Sequence, residues 1–341
     1  MVEIAVIGAG HWGPNLIGSF HNMQASSVRW VVDRDERRLE AVQRRFPGVQ
    51  VATSAEEALG DERVGAAVIA TPTSTHYPLV KASLGAGKHV LVEKPIAASA
   101  KEGVELCELA SRAGRVLMVG HVFVHNAAVQ QIRRYIEDGD LGQIYYISMV
   151  RTNLGPIRTD VNASWDLVSH DVSIANYWLE AEAVSATAFG GVWINAGIED
   201  AVFATLEYPA GVLVHLHASW LHPRKSREIT VVGSKRMLTF DDMNLIEPIR
   251  IYDKQVTEDR IHPGLVDSFG SFRASVREGD VRIPKVSIGE PLRAECNHFL
   301  ECIESNSAPL TGGLEGVAVV RVLVAMERSM GDAGHRHRVE A

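Results

Sequence analysis

The sequence predicts an α/β protein. An N-terminal Rossmann-type, doubly wound parallel sheet is followed by an α/β domain with a large, mostly antiparallel open sheet. Three observations lead there. The first third of the chain alternates short β-branched runs with helical patterns. A glycine-rich stretch, Gly8-Ala9-Gly10-His11-Trp12-Gly13, joins the first strand to the first helix. Beyond Leu179, alternating apolar segments are separated by turn residues such as Pro209-Ala210-Gly211, the pattern of antiparallel strands and short hairpins.

At 341 residues the chain has room for two domains, at ~100–200 residues each. The expected division is 1–120 for the first domain, 121–331 for the second, and 332–341 for a disordered tail. A chain 46% hydrophobic and 22% charged buries an ordinary globular core. The net charge of -8 and the lack of a Lys/Arg run speak against a nucleic-acid partner. No apolar run approaches the ~18 residues a membrane span needs. Met1-Val2-Glu3-Ile4 leads straight into a strand without a basic n-region, so the expected location is the cytoplasm. Cys107, Cys296 and Cys302 have no spacing for a disulfide framework or zinc site. His215 and His217 share a strand face without a third ligand nearby, so no metal is expected.

In chain order, Glu3 to Ile7 is a strand leading into the glycine loop, and Leu16, Ile17 and Phe20 mark the helix after it. That context gives the GxGxxG its meaning. Gly8 permits the tight turn, Gly10 lets backbone approach a pyrophosphate, and Gly13 allows close helix–strand packing. The helix N-terminus, with His11 and Trp12 beside it and Pro14 tolerated in its first turn, offers free N–H groups to the phosphates. A second strand, Val28 to Val32, ends at Asp33, placed to accept hydrogen bonds from an adenosine ribose. Asp33 favours NAD; Arg34 next to it could receive a 2′-phosphate, leaving NADP possible. The competing reading of Asp33 is a cap of the helix that begins near Glu36.

Val64 to Ala70 is the next long strand, ending in Thr71-Pro72-Thr73-Ser74-Thr75-His76. Thr71, Pro72 and Thr73 should face the cofactor crevice, and His76 reads first as a cap of the following helix. Lys88 to Val92 reads as the central strand and delivers Glu93-Lys94-Pro95 to the same edge, where ligands bind in open parallel sheets. Alone, Lys94 reads as a surface lysine.

The fingerprint, Asp33, Ala70-Thr71-Pro72 and Glu93-Lys94-Pro95, in that order, resemble the Gfo/Idh/MocA family of oxidoreductases over essentially the whole length. The resemblance implies NAD(P)-dependent chemistry on a hydroxyl or ketone of a sugar, cyclitol or nucleotide sugar, with homodimers or homotetramers built through the second domain's sheet. It also implies that Lys94 is catalytic or substrate-orienting and that the Lys94–Pro95 bond is cis.

In the second domain, Trp165 to Leu179 reads as one amphipathic helix with Asp166 and His170 one turn apart on one face. The resemblance assigns this Asp-x-x-x-His pair the catalytic carboxylate and histidine. Histidine suits removal of a hydroxyl proton, the carboxylate would orient the imidazole, and Lys94 would stabilise a developing alkoxide. Asp171 is the competing carboxylate. Arg151, Asn153 and Arg158 border a polar loop similar to that of family members that oxidise or reduce C3 of a nucleotide-linked hexose such as UDP-N-acetylglucosamine. Arg151 and Arg158 could bind its diphosphate bidentately or form ordinary salt bridges. Gly120-His121-Val122-Phe123-Val124-His125 carries more histidines than the family pattern, with His121 a candidate substrate contact. The alternatives are a free-sugar or inositol dehydrogenase, an NADPH-dependent 3-ketosugar reductase, and a catalytically silent NAD-binding sensor.

Overall fold

The computed structural model describes residues 1–258, 274–287 and 289–340. In the first domain, β1 (Val2–Ile7), β2 (Ser26–Val32), β3 (Gln50–Ala52), β4 (Val64–Ile69), β5 (His89–Glu93) and β6 (Leu117–Gly120) alternate with helices. These are α1 (Gly13–His21), α2 (Glu36–Arg45), α3 (Ala55–Gly60), α4 (His76–Gly85) and α5 (Ala100–Ala113). The strands pair in parallel in the order β3-β2-β1-β4-β5-β6. The order reverses between β1 and β4, and that switch point opens the crevice where such sheets bind ligands. Strand β5 is therefore next to the edge rather than central, because β1 and β4 hold the middle.

Register makes the crevice. Ile7 pairs with both Val32 and Ile69, Ile69 with Val92, and Glu93 with Gly120. The residues just beyond those pairs, namely Gly8, Asp33, Ala70, Lys94 and His121, thus leave the sheet along one edge. Local chemistry fixes the helix starts: the side chains of Asp35, Ser54 and Ser99 accept from the N–H groups of Arg37, Glu56 and Glu102. Asp35, not Asp33, is the cap of α2.

The second domain contains α6 (Ala127–Glu137), β7 (Ile144–Leu154), α7 (Ser169–Leu179) and the strands β8 (Ser185–Gly191), β9 (Ala201–Glu207), β10 (Leu213–Ser219), β11 (Leu221–Gly233), β12 (Met237–Asp241), β13 (Ile249–Glu258) and β14 (Ala274–Arg282). Helix α9 (Gly313–Gly331) and strand β15 (His337–Arg338) complete it, and α8 (Pro291–Ser305) lies between β14 and α9 in the chain. Its nine strands run in the order β14-β13-β12-β11-β7-β10-β9-β8-β15, antiparallel except for the β7–β10 pair. Burial alternates along β10, with Val214 and Leu216 buried and Leu213 and His215 exposed. The buried face packs on α6, α7 and α9 through Ile132, Val172, Trp178 and Val322. The open face shows Phe203, whose ring stacks on His217 across the β9–β10 pair at 4.5 Å.

Two expectations are corrected. The tail is ordered at its edge strand, where His337 and Arg338 pair with Ala186 and Ser185 of β8. Helix α8, assigned by sequence order to the second domain, packs on the first sheet's outer face. Phe299 meets Phe20 edge-on at 6.4 Å, in one core with Ile4, Val6 and Val68.

Candidate active site

The glycine loop is shaped by contacts a side chain would break. Gly8 has φ +105°, and a Cβ there would lie 2.5 Å from the Ala70 carbonyl oxygen. A Cβ on Gly13 would lie 2.1 Å from the Gly8 oxygen. A Cβ on Gly10 would meet only Arg38 Nη1, 3.5 Å away, so the loop is open on that side to an approaching pyrophosphate. Asp33 braces the loop: its Oδ2 accepts the Ala9 N–H at 2.7 Å and its Oδ1 the Asp35 N–H at 2.9 Å. The carboxylate keeps lone pairs for ribose hydroxyls, and these residues fit NAD. Arg38, not Arg34, reaches Asp33 at 3.4 Å, while Arg34 stays exposed. The indole of Trp12 is near enough to the Glu93 carboxyl to help hold its pKa down, against the upward push of burial.

His76 is not a cap. It is the first residue of α4 and is buried, with Nδ1 2.7 Å from the Pro95 oxygen and Nε2 2.9 Å from the Thr71 oxygen. It bridges the ends of β4 and β5 and holds the two loops that carry Thr71-Pro72-Thr73 and Lys94. Thr71 also accepts a hydrogen bond from Thr75 Oγ1 at 2.7 Å. The Lys94–Pro95 peptide is cis, matching the resemblance.

Lys94 reaches into the second domain. Its Nζ donates to the Asp166 carbonyl at 2.6 Å and lies 3.6 Å from Asp166 Oδ1. The helix expected over 165–179 is in fact two pieces, a π-helical turn at Ser164–Val168 followed by α7. Asn162 organises its start by accepting from Ser164 Oγ at 2.7 Å and the Trp165 N–H at 3.2 Å. A π-turn widens the helix and disturbs the usual carbonyl pairing; here the Asp166 carbonyl goes to Lys94.

The carboxylate of Asp166 does not orient His170 as expected, since no hydrogen bond joins them among the described residues. Its oxygens face other donors: Trp220 Nε1 at 3.1 Å, Arg158 Nη1 at 3.4 Å and Lys94. His170 instead sets its ring against the edge of Phe123, centroids 4.8 Å apart, with Nδ1 buried and unpartnered.

A cavity of about 170 Å3 gathers Phe123, Arg151, Thr152, Asn153, Asp166, Leu167, His170, Lys225 and Arg227. Arg151 lies in its wall, but Nε and Nη2 both go to Asp171 Oδ1, at 2.9 and 2.7 Å. Asp171 is thereby the partner of an arginine rather than a catalytic carboxylate. Arg158 is gripped by Asp160 at 2.9 and 2.7 Å. His121 is 1% exposed and does not line this cavity. Sequence reasoning missed Phe123, Trp220, Lys225 and Arg227. Trp220 stands at a strand end, a position that flags site residues, but nothing local aimed its indole at Asp166.

Burial dominates the titration of the site. It drives His170 well below its ordinary value, and the charges of Lys94 and Arg151 push the same way. It also lowers Lys94, against the carboxylates of Asp166 and Glu93. Glu93 is pushed up to about 7 by burial, against the Lys94 charge, and His121 is driven down to about 3, again chiefly by burial. His170 is thus neutral through the neutral range, the form in which an imidazole can take a proton. It loses that capacity only as pH falls through its lowered pKa, so the acid limb of kcat/KM should lie well below pH 6.5. Lys94 loses its charge as pH rises through a value below 10.5, which sets the basic limb. A pH–rate profile whose acid limb is centred at ~6.5 or above would contradict this assignment.

A family model described as "Oxidoreductase family, NAD-binding Rossmann fold" matches residues 2–121, and the GFO/IDH/MocA C-terminal domain matches residues 129–239. The chain belongs to the Gfo/Idh/MocA oxidoreductase family. Within that family it is similar to a UDP-N-acetylglucosamine 3-dehydrogenase of Acidithiobacillus ferrooxidans, 28% identical over 96% of this chain and 97% of that protein. It is similar also to a scyllo-inositol 2-dehydrogenase (NAD(+)) of Bacillus subtilis, 24% identical over 96% of this chain and 94% of the relative. Among solved structures, UDP-N-acetylglucosamine 3-dehydrogenase GnnA from A. ferrooxidans superposes with TM-score 0.80 at 25% identity, covering 96% of this chain and 98% of the other. GenD2 from gentamicin A biosynthesis, in complex with NAD, superposes with TM-score 0.82 at 26% identity, covering 100% and 97%. The family is one of NAD-binding oxidoreductases, and the relatives above are named as dehydrogenases of a nucleotide sugar and of an inositol.

Proposed function

We propose that the chain oxidises a hydroxyl of a nucleotide-linked hexose, C3 of a sugar such as UDP-N-acetylglucosamine, in glycan biosynthesis. The observation that carries this reading is the cavity itself: His170, with Lys94 bound to the adjoining Asp166, stands beside a wall bearing Arg151, Lys225 and Arg227. NAD, when bound, supplies the hydride acceptor. His170, neutral, takes the hydroxyl proton of the sugar. Lys94, held by the Asp166 carbonyl and carboxylate, stabilises the negative charge that develops on the oxygen. Asp166 positions Lys94, and Trp220 and Arg158 position Asp166. The full-length similarity to a UDP-N-acetylglucosamine 3-dehydrogenase supports the substrate class.

The test is NADH formation with purified protein, offering UDP-N-acetylglucosamine, free N-acetylglucosamine and inositol, each with NAD and NADP. Turnover confined to the nucleotide sugar with NAD supports the proposal. Turnover with inositol instead would reject the nucleotide sugar and keep the dehydrogenase.

A further inference from the structure

The cation-rich part of the cavity has a construction that the catalytic residues do not require. Arg151 of β7 and Arg227 of β11 are directly opposite partners in an antiparallel pair. Like charges so placed destabilise a sheet. Here they are kept in place by Phe123, whose ring centroid lies 4.5 Å from the Arg151 guanidinium carbon and 5.2 Å from that of Arg227. Each also has its own carboxylate outside the cavity lining: Asp171 for Arg151, and Asp242, at 3.0 Å, for Arg227.

Lys225 adds a third cation, and it has no hydrogen bond or ion pair among the described residues. A bulge aims it. Strand β11 pairs Leu221 with Leu154 and next Ser226 with Thr152, so residues 222–225 stand opposite Asn153 alone. The bulge is closed by the Arg224 N–H donating to His222 Nδ1 at 3.3 Å and by Thr152 Oγ1 donating to the Arg224 carbonyl at 3.2 Å. Bulges of this kind re-aim side chains next to active sites.

We propose that Lys225 and Arg227, with Arg151 behind them, form a subsite for an oxyanion carried by the substrate. The two sources of that chemistry are the diphosphate of a nucleotide sugar and the carboxylate of a sugar acid. The inference rests on the cavity being the sugar site and moves the anion contact from Arg151 and Arg158 to β11: Arg151 gives Nε and Nη2 to Asp171 and Arg158 gives Nε and Nη2 to Asp160, whereas Arg227 gives only Nη1 to Asp242. Lys225 is the specificity-determining member because its charge is uncommitted.

The experiment uses the full chain saturated with NADH, so that the glycine loop is filled. Titration calorimetry then follows UDP, glucuronate and neutral N-acetylglucosamine with wild type, Lys225→Gln and Lys225→Arg. NADH affinity and melting temperature serve as fold controls, since Lys225 is exposed and unpaired. The expected result is an anion affinity that falls about tenfold or more in Lys225→Gln, recovers in Lys225→Arg, and weakens with salt in wild type. N-acetylglucosamine affinity should not change. Lys225-dependent binding of UDP makes phosphate the anion. Lys225-dependent binding of glucuronate alone makes it a carboxylate, which keeps the subsite and rejects the nucleotide sugar. Anions that bind wild type and Lys225→Gln equally, or bind neither, overturn the subsite. Lys225-dependent UDP binding without turnover of UDP-N-acetylglucosamine would reject only the proposed reaction.

Discussion

Replacing Lys94 with alanine should lower kcat by about a thousandfold while leaving NAD affinity within a few-fold of wild type. The lysine's ammonium is held in a poorly solvated place, its side chain 14% exposed, between the Asp166 carbonyl and carboxylate. A charge fixed there needs no reorganisation when an alkoxide forms, and water entering the space left by alanine cannot reproduce that arrangement. The bond between Nζ and the Asp166 carbonyl also spans the two domains, so the variant should melt at a slightly lower temperature. Steady-state kinetics with a competent sugar, together with NADH titration by fluorescence, checks both halves. Equal losses in kcat and in cofactor affinity would make Lys94 a structural residue instead.

The second large effect is on binding. Gly8→Ala should abolish measurable NAD binding without unfolding the protein. Alanine at φ +105° is strained, and its Cβ would meet the Ala70 carbonyl oxygen at 2.5 Å and the Thr71 side chain at 2.9 Å. Because β1 and β4 are adjacent and buried over residues 4–7 and 66–69, the sheet cannot yield, and the loop must. Its displacement would separate the Ala9 N–H from Asp33 and spoil the helix N-terminus as a phosphate site. Calorimetry on the variant, with circular dichroism as the fold control, reads the loss. NAD affinity near the wild-type value would show that the loop is not the phosphate cradle.

Much of this was legible in the sequence because it depends on local pattern. The βαβ rhythm, the glycine loop and Asp33 are set by neighbours in the chain, and they stand where expected. Lys94 lies against Asp166, and Asp166 and His170 line one cavity. What escaped depends on distant partners. Arg151 looks like a phosphate ligand until Asp171 is found 2.7 Å away. Asp166 looks like the partner of His170 until a π-turn, invisible to a 3.6-residue pattern, sends its carbonyl to Lys94. Helix α8 reads as second-domain core because its apolar spacing gives no address, and Phe20 of α1 supplies it. Lys225 was hidden in a turn-like His222-Pro223-Arg224 stretch whose aim is set by the register of β11 against β7.

The central claim is that this cavity moves a hydride from a sugar carbon to NAD. Its most direct test is a reaction with UDP-N-acetylglucosamine deuterated at C3, followed by NMR of the nicotinamide. Deuterium should appear on the reduced nicotinamide ring, and Lys94→Ala should slow its arrival. Deuterium retained on the sugar, with NAD bound and unreduced, would contradict it.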